Sequence, residues 1–204
     1  MRVTKARKEE TRRCILTAAA DLFAARGYEA ATTRDISVAA GIATGTLFNY
    51  FKTKEEIVLA MVQQAFDDGR ETVHRRSHGD EDLDEKLFAH VAAALRRLRP
   101  HREYLYPALD GATVAGPRSA AARLRDAHLA LVRENMEAHG WADAATDVTL
   151  HLYWALLNGI LSFWARDRSP RQEMTLALID RSMRLFVQSL SFMGGMPRPE
   201  GSEV

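Results

Sequence analysis

The chain has 204 residues, 47% of them apolar and 27% charged, enough for one large or two small folded domains and unlike a disordered or fibrous protein. Cys14 is the only cysteine, which excludes an intrachain disulfide. The charged N-terminal stretch has no signal-like apolar run, so a cytoplasmic protein is expected. The net charge of +1 hides an asymmetry: residues 1–54 carry ten basic and five acidic side chains, the rest eighteen and twenty-two. A basic head on a mildly acidic body suits a polyanionic partner for the head alone.

The pattern is helical almost throughout. Ile15, Ala18, Ala19, Leu22 and Phe23 form the stripe of an amphipathic first helix ending at Gly27. Thr32 and Asp35 make a capping box for a short second helix, with Ile36 and Ala39 inward and a stop at Gly41. A third short helix covers Thr44 to Phe51, and Thr53 with Glu56 opens a long fourth through Ile57, Met61 and Ala65. After a polar loop at Ser77–Asp82, Leu83, Leu87, Val91, Leu95 and Leu98 mark a fifth helix ending at Pro100. Pro107, Gly111 and Gly116-Pro117 break the next region, and a helix from Pro117 to His139 follows. Val148 to Ala165 holds no charged side chain over 18 residues, the lower limit of a membrane span. Its His151, Asn158, Gly159 and Ser162 favour a buried helix of a soluble protein. Ser169-Pro170 with Gln172 starts the last helix, whose Leu176, Ile179, Met183, Phe186 and Leu190 have the seam spacing of packed helices. The expected fold is all-α with about nine helices: a three-helix helix-turn-helix head over 1–54 and a helical effector-binding and dimerisation body over 55–204.

Two short helices joined by the turn Ala39-Ala40-Gly41-Ile42, packed on a longer helix, form a helix-turn-helix. In the third helix Leu47 and Phe51 can anchor the element while Thr44, Thr46, Asn49 and Tyr50 stay free for base edges and phosphates. The run from Thr11 to Glu56, above all Thr46-Leu47-Phe48-Asn49-Tyr50-Phe51-Lys52-Thr53-Lys54-Glu55, closely resembles the DNA-binding domain of TetR-family transcriptional regulators.

That resemblance implies a repressor, not an enzyme, released from double-stranded DNA by a small molecule. It implies that Thr32 and Arg34 hold phosphate, that Thr44, Thr46 and Asn49 face the groove, and that Tyr50, Lys52 and Lys54 also contact DNA. Phe48 stands where the family often has Tyr, and Ala43 where it often has a capping Ser. Lys5, Arg7, Lys8, Arg12 and Arg13 are candidates for an added basic arm.

The body exceeds what DNA binding needs. Its last two helices are expected to form a homodimer interface through Leu176, Ile179, Met183, Phe186 and Leu190. Candidate residues for a hydrophobic or aromatic effector are Val91, Leu95, Tyr104, Tyr106, Leu109, His151, Trp154 and Asn158; the alternative for His151 and Asn158 is a satisfied core or interface position. No cofactor or membrane partner is expected. His74 and His78 are spaced for a metal but lack further ligands, so they read as a polar helix end. Trp164–Pro170 also resembles helical lipid-binding proteins of TetR-like fold, an alternative against which the intact head argues.

Overall fold

The computed structural model describes residues 4–77, 79–102, 105 and 119–194. Among them are eight α-helices and no strand. The expected ninth falls in the Pro107–Pro117 region, which, with Tyr104, Tyr106, Leu109 and His78, lies outside the described residues. The chain divides into two compact units, one drawn from residues 1–64 and 98–122, the other from 65–97 and 123–204. The division falls within a helix, after Gln64.

In the first unit, α1 (Lys5–Arg26) buries Ile15, Leu16, Ala18, Ala19 and Phe23. It begins with Lys5 and is capped by Thr4, so the basic arm is the first turns of a helix. Cys14 is exposed on it. α2 (Thr33–Ala39) starts from the expected capping box, in which Thr32 and Asp35 each bond the other's backbone amide. It buries Ile36 and Ser37, whereas Ala39 faces solvent. α3 (Thr44–Tyr50) buries Leu47 and is followed by buried Phe51. α4 (Lys54–His74) begins after Thr53, whose hydroxyl accepts from the amide of Glu56 at 3.2 Å. The Glu56 carboxylate reaches one residue further back than a capping box requires, to the amide of Lys52 at 2.7 Å.

The second unit contains the rest of α4 with α5 (Leu83–Leu98), α6 (Ala120–Ala138), α7 (Asp147–Arg166) and α8 (Glu173–Gly194). Helices α4 and α5 cross at Gly69, where a Cβ would stand 3.1 Å from the backbone nitrogen of Ala94 and force the two apart. Arg133 of α6 ties down the start of α7, donating to the carbonyl of Ala145 at 2.7 Å and to the carboxylate of Asp147 at 3.1 Å. Tyr153, Leu157, Ile160 and Trp164 of α7 pack with Ile179, Met183, Phe186 and Leu190 of α8 as a core, each at most 1% exposed. The α7–α8 corner is held by Asp167, which accepts from the amide and hydroxyl of Thr175 and from the amide of Ser169. Burial works against its charge, yet these bonds hold its carboxyl down at about 2. Ser169 departs from the expected cap: it makes no side-chain bond to the 3-10 turn Pro170–Gln172, whose Arg171 and Gln172 have positive φ, and accepts instead from the amide of Met174 at 3.1 Å.

Candidate nucleic-acid interface and body site

The head sets α3 on a rigid base. Gly41, at φ 67°, makes the bend between α2 and α3. The hydroxyls of Ser37 and Thr44 lie 2.9 Å apart across it. Leu47 is fully buried and Phe51 is 5% exposed, anchoring α3 by one side. Arg12 of α1 stands over the Phe51 ring at 5.7 Å. On the other sides of α3, Asn49 is exposed and Thr44, Thr46 and Tyr50 are half-exposed. Phe48 is 37% exposed, an apolar side chain on the same accessible helix. Ala43 caps α3 without a side-chain bond, as expected from the missing hydroxyl.

Several expected contact residues already have work inside the head. The Thr32 hydroxyl donates to the Asp35 carboxylate at 2.6 Å and accepts the Asp35 amide at 3.1 Å, so it has no proton left for a phosphate while the capping box is closed. Those same bonds, first the one from the hydroxyl, hold the Asp35 carboxyl below its ordinary range. Arg34 beside it is exposed. Lys52 donates to the carbonyl of Phe48 at 2.6 Å, closing the C-terminal end of α3. Lys54 is half-buried and donates to the carbonyls of Tyr28 at 2.8 Å and Glu29 at 3.4 Å, with its ammonium 4.5 Å from the Tyr28 ring centre. Tyr28 in turn donates to Glu55 at 2.9 Å. Burial, then that bond, pushes the Tyr28 hydroxyl upward, while bonds led by the one from Thr53 hold Glu55 down. Lys54 therefore locks the α1–α2 connection onto the start of α4.

The second unit has two distinct faces. Opposite the buried core, α7 exposes Val148, Leu152, Ala155, Gly159 and Phe163 in steps of four and three, and α8 exposes Met174, Leu185 and Phe192 along one line. Of the five expected interface residues only Leu176 is exposed, at 40%; Ile179, Met183, Phe186 and Leu190 are sealed inside their own chain. Toward the interior, His90 of α5 and His128 of α6 are buried, each with an Nδ1 that has no partner among the described residues. His128 Nε2 lies 3.1 Å from the Tyr153 hydroxyl. The Phe66 ring meets His128 edge-on at 4.6 Å, and the Trp154 ring lies 6.2 Å away.

The comparisons with known proteins follow this architecture. Residues 15–61 match the model of bacterial regulatory proteins of the tetR family, and residues 86–194 match a tetracyclin repressor-like C-terminal domain. The second match alone spans more than half of the chain. The chain belongs to the TetR family. Among curated relatives, the transcriptional repressor KstR2 of Mycolicibacterium smegmatis is 43% identical over 53 residues, 26% of either chain. The chain thus matches only about a quarter of the length of such relatives. A TetR regulator from Rhodococcus sp. RHA1 shares the fold at TM-score 0.67 and 17% identity, over 88% of this chain and 97% of its own. Thermus thermophilus FadR, solved in complex with lauroyl-CoA, does so at TM-score 0.65 and 21% identity, over 95% and 98%.

This TetR-family chain therefore joins the DNA-binding domain of bacterial regulatory proteins, over residues 15–61, to a tetracyclin repressor-like C-terminal domain, over residues 86–194. Of the expected effector residues, Val91 and Leu95 are buried in α5 and Trp154 is half-buried beside His128. His151 departs from expectation: it is exposed, and its Nδ1 lies 2.7 Å from the carbonyl of Asp147 in its own helix. Asn158 likewise donates to the carbonyl of Trp154 at 2.8 Å. Both polar groups are satisfied by the preceding turn of α7. His90, His128 and Tyr153, all buried in the body, were not among the expected residues. Their only sequence signal was that each sits on the apolar stripe of its helix.

Proposed function

We propose that the chain is a cytoplasmic homodimeric repressor that binds a palindromic operator and leaves it when the body takes up an apolar effector. The observation that carries this reading is the division of α3 into an anchored side, Leu47 with Phe51, and an accessible side bearing Thr46, Asn49 and Tyr50. Thr44, Thr46 and Asn49 would read base edges, with Arg34, Tyr50 and Lys52 on phosphates. Thr32 and Lys54 would act mainly by fixing the flanks of α3, and the third proton of Lys54 remains for the DNA backbone.

Dimerisation is supported by the exposed stripes of α7 and α8. Large apolar side chains in line on two adjacent helices call for cover, and a second copy supplies the same two helices in an isologous four-helix packing. The interface then uses Leu152, Phe163, Leu185 and Phe192, with Leu176 at its margin, rather than the buried seam. Two heads related by a two-fold axis match a palindrome. The effector role of the body is supported by its aromatic interior and by the acyl-CoA bound to the FadR neighbour. An effector that prefers a body conformation incompatible with two heads on DNA weakens binding by its differential affinity, typically ~1–3 kcal/mol.

Selection from random duplex DNA at an ionic strength of about 0.15 M, where non-specific binding is screened, tests the reading. A palindromic motif bound by two chains is expected, and Leu152→Glu with Leu185→Glu should give a monomer by sedimentation that no longer binds it. No enriched motif would overturn the regulator reading, and a monomeric wild-type protein would overturn the interface.

A further inference from the structure

The body carries two imidazole nitrogens that no other described residue answers. His90 is 6% and His128 4% exposed, and Nδ1 of each has no hydrogen-bond partner among the described residues. Buried polar atoms are nearly always paired, so two of them, on different helices of one interior, point to a hydrogen-bonding guest. Tyr153 decides what His128 offers. Its hydroxyl lies 3.1 Å from Nε2. A phenol is a good donor and a poor acceptor, whereas an unprotonated imidazole nitrogen accepts well, so the hydroxyl donates to Nε2 and the ring proton sits on Nδ1. His90 presents the same donor in its Nδ1–H tautomer.

The surroundings select the guest further. Phe66, Tyr153 and Trp154 put aromatic surface around His128. The charged groups that bear on His90 are Lys86 of α5 and Arg70 of α4, both cationic, and the one that bears on His128 is His90. Burial foremost, then these neighbours, hold both imidazoles down at about 4, so at neutral pH both are uncharged donors in a positive field. Such a site favours an anionic oxygen group and rejects an amine.

We propose that His90 and His128 together receive, through their Nδ1–H groups, the carboxylate of an apolar monocarboxylic acid whose hydrocarbon part lies against Phe66 and Trp154. This rests on the reading of the body as an effector-binding unit and names the chemistry of its ligand.

Isothermal titration of the full chain, without DNA, with decanoate and 4-phenylbutyrate tests it, alongside the amide, alcohol and amine of each skeleton. The acids should bind, the amides and alcohols at least about tenfold more weakly, and the amines not at all. His90→Phe and His128→Phe should each lose at least about tenfold in acid affinity. His90→Asn and His128→Asn, which keep an N–H near the Nδ1 position, should retain most of it. Because a variant can fail to fold, nitrogen-15 imidazole spectra of the wild type provide a second readout. His128 should be the Nδ1–H tautomer, and the Nδ1 signals of both histidines should move with decanoate and not with decanol. Failure of both acids to bind, equal binding of acid and alcohol, or Phe variants that fold and bind as the wild type does would each overturn the proposal. Acid binding as described that leaves operator affinity unchanged would uphold the site and overturn its effector role instead.

Discussion

The head and the body solve the problem of buried polar groups in opposite ways. In the head, Ser37, Tyr28 and Lys54 are each drawn inward and each answered at once, by Thr44 and the carbonyl of Arg34, by Glu55, and by the carbonyls of Tyr28 and Glu29. In the body, His90 and His128 are buried, each with a nitrogen that has no partner among the described residues. A fully satisfied module is preorganised, so its function lies on its surface, in side chains free to meet DNA. A module with unanswered groups has interior chemistry to offer a ligand. On the proposed function, that difference would separate a reader from a sensor within one chain.

The largest way to separate them is pH. Burial depresses both body imidazoles from their ordinary 6.5 to about 4, so the unfolded state binds protons first as pH falls. The stabilisation is complete above pH 6.5 and is lost as pH falls through 4. Residues 1–64 contain no histidine, but His101 in the 98–122 segment of the same unit is also lowered, by burial and against the pull of Asp21, so the loss is assigned to the body only where the tryptophans report it. All three tryptophans, Trp141, Trp154 and Trp164, lie in the body. Denaturant titrations followed by tryptophan fluorescence should therefore show the body losing several kcal/mol between pH 6.5 and 4. A pH-independent midpoint would mean that the histidines are not held neutral.

Next in size is Leu47→Ala. It empties the anchor of α3 and should cost the head ~2–5 kcal/mol while leaving the tryptophan-reported transition near its wild-type midpoint. Lys54→Ala removes two carbonyl bonds and a cation–π contact. A head destabilised by ~1–2 kcal/mol is expected, with DNA affinity reduced alike for all sequences. Smallest is Ala43→Ser, which supplies the cap α3 lacks and should stabilise the head by ~1 kcal/mol or less in thermal melts.

The same contrast explains what could be read from the sequence. The head was legible because its logic is local: the Thr32–Asp35 box, Gly41 and the i, i+4 pair Leu47 and Phe51 are all short-range signals. Even there, Ser37 rather than Ala39 turned inward, its hydroxyl satisfied by the carbonyl of Arg34 and the hydroxyl of Thr44. In the body, the 3–4 spacing of Ile179, Met183, Phe186 and Leu190 correctly signalled packing but not its partner. They meet α7 of their own chain, and the interface expectation shifts to the outward stripe. His90, His128 and Tyr153 are far apart in sequence, and no local pattern brings them together. His151 attracted notice because it interrupts an apolar run, yet it turns outward and bonds its own helix.

The central claim is that α3 reads operator sequence through Asn49 from a platform fixed by the rest of the head. Its most direct test repeats the duplex selection with Asn49→Ala, after thermal melting has shown the variant as stable as the wild type. The account predicts a palindrome with the wild type and the same palindrome relaxed at one symmetric pair of positions with the variant. An identical motif from both proteins would contradict it.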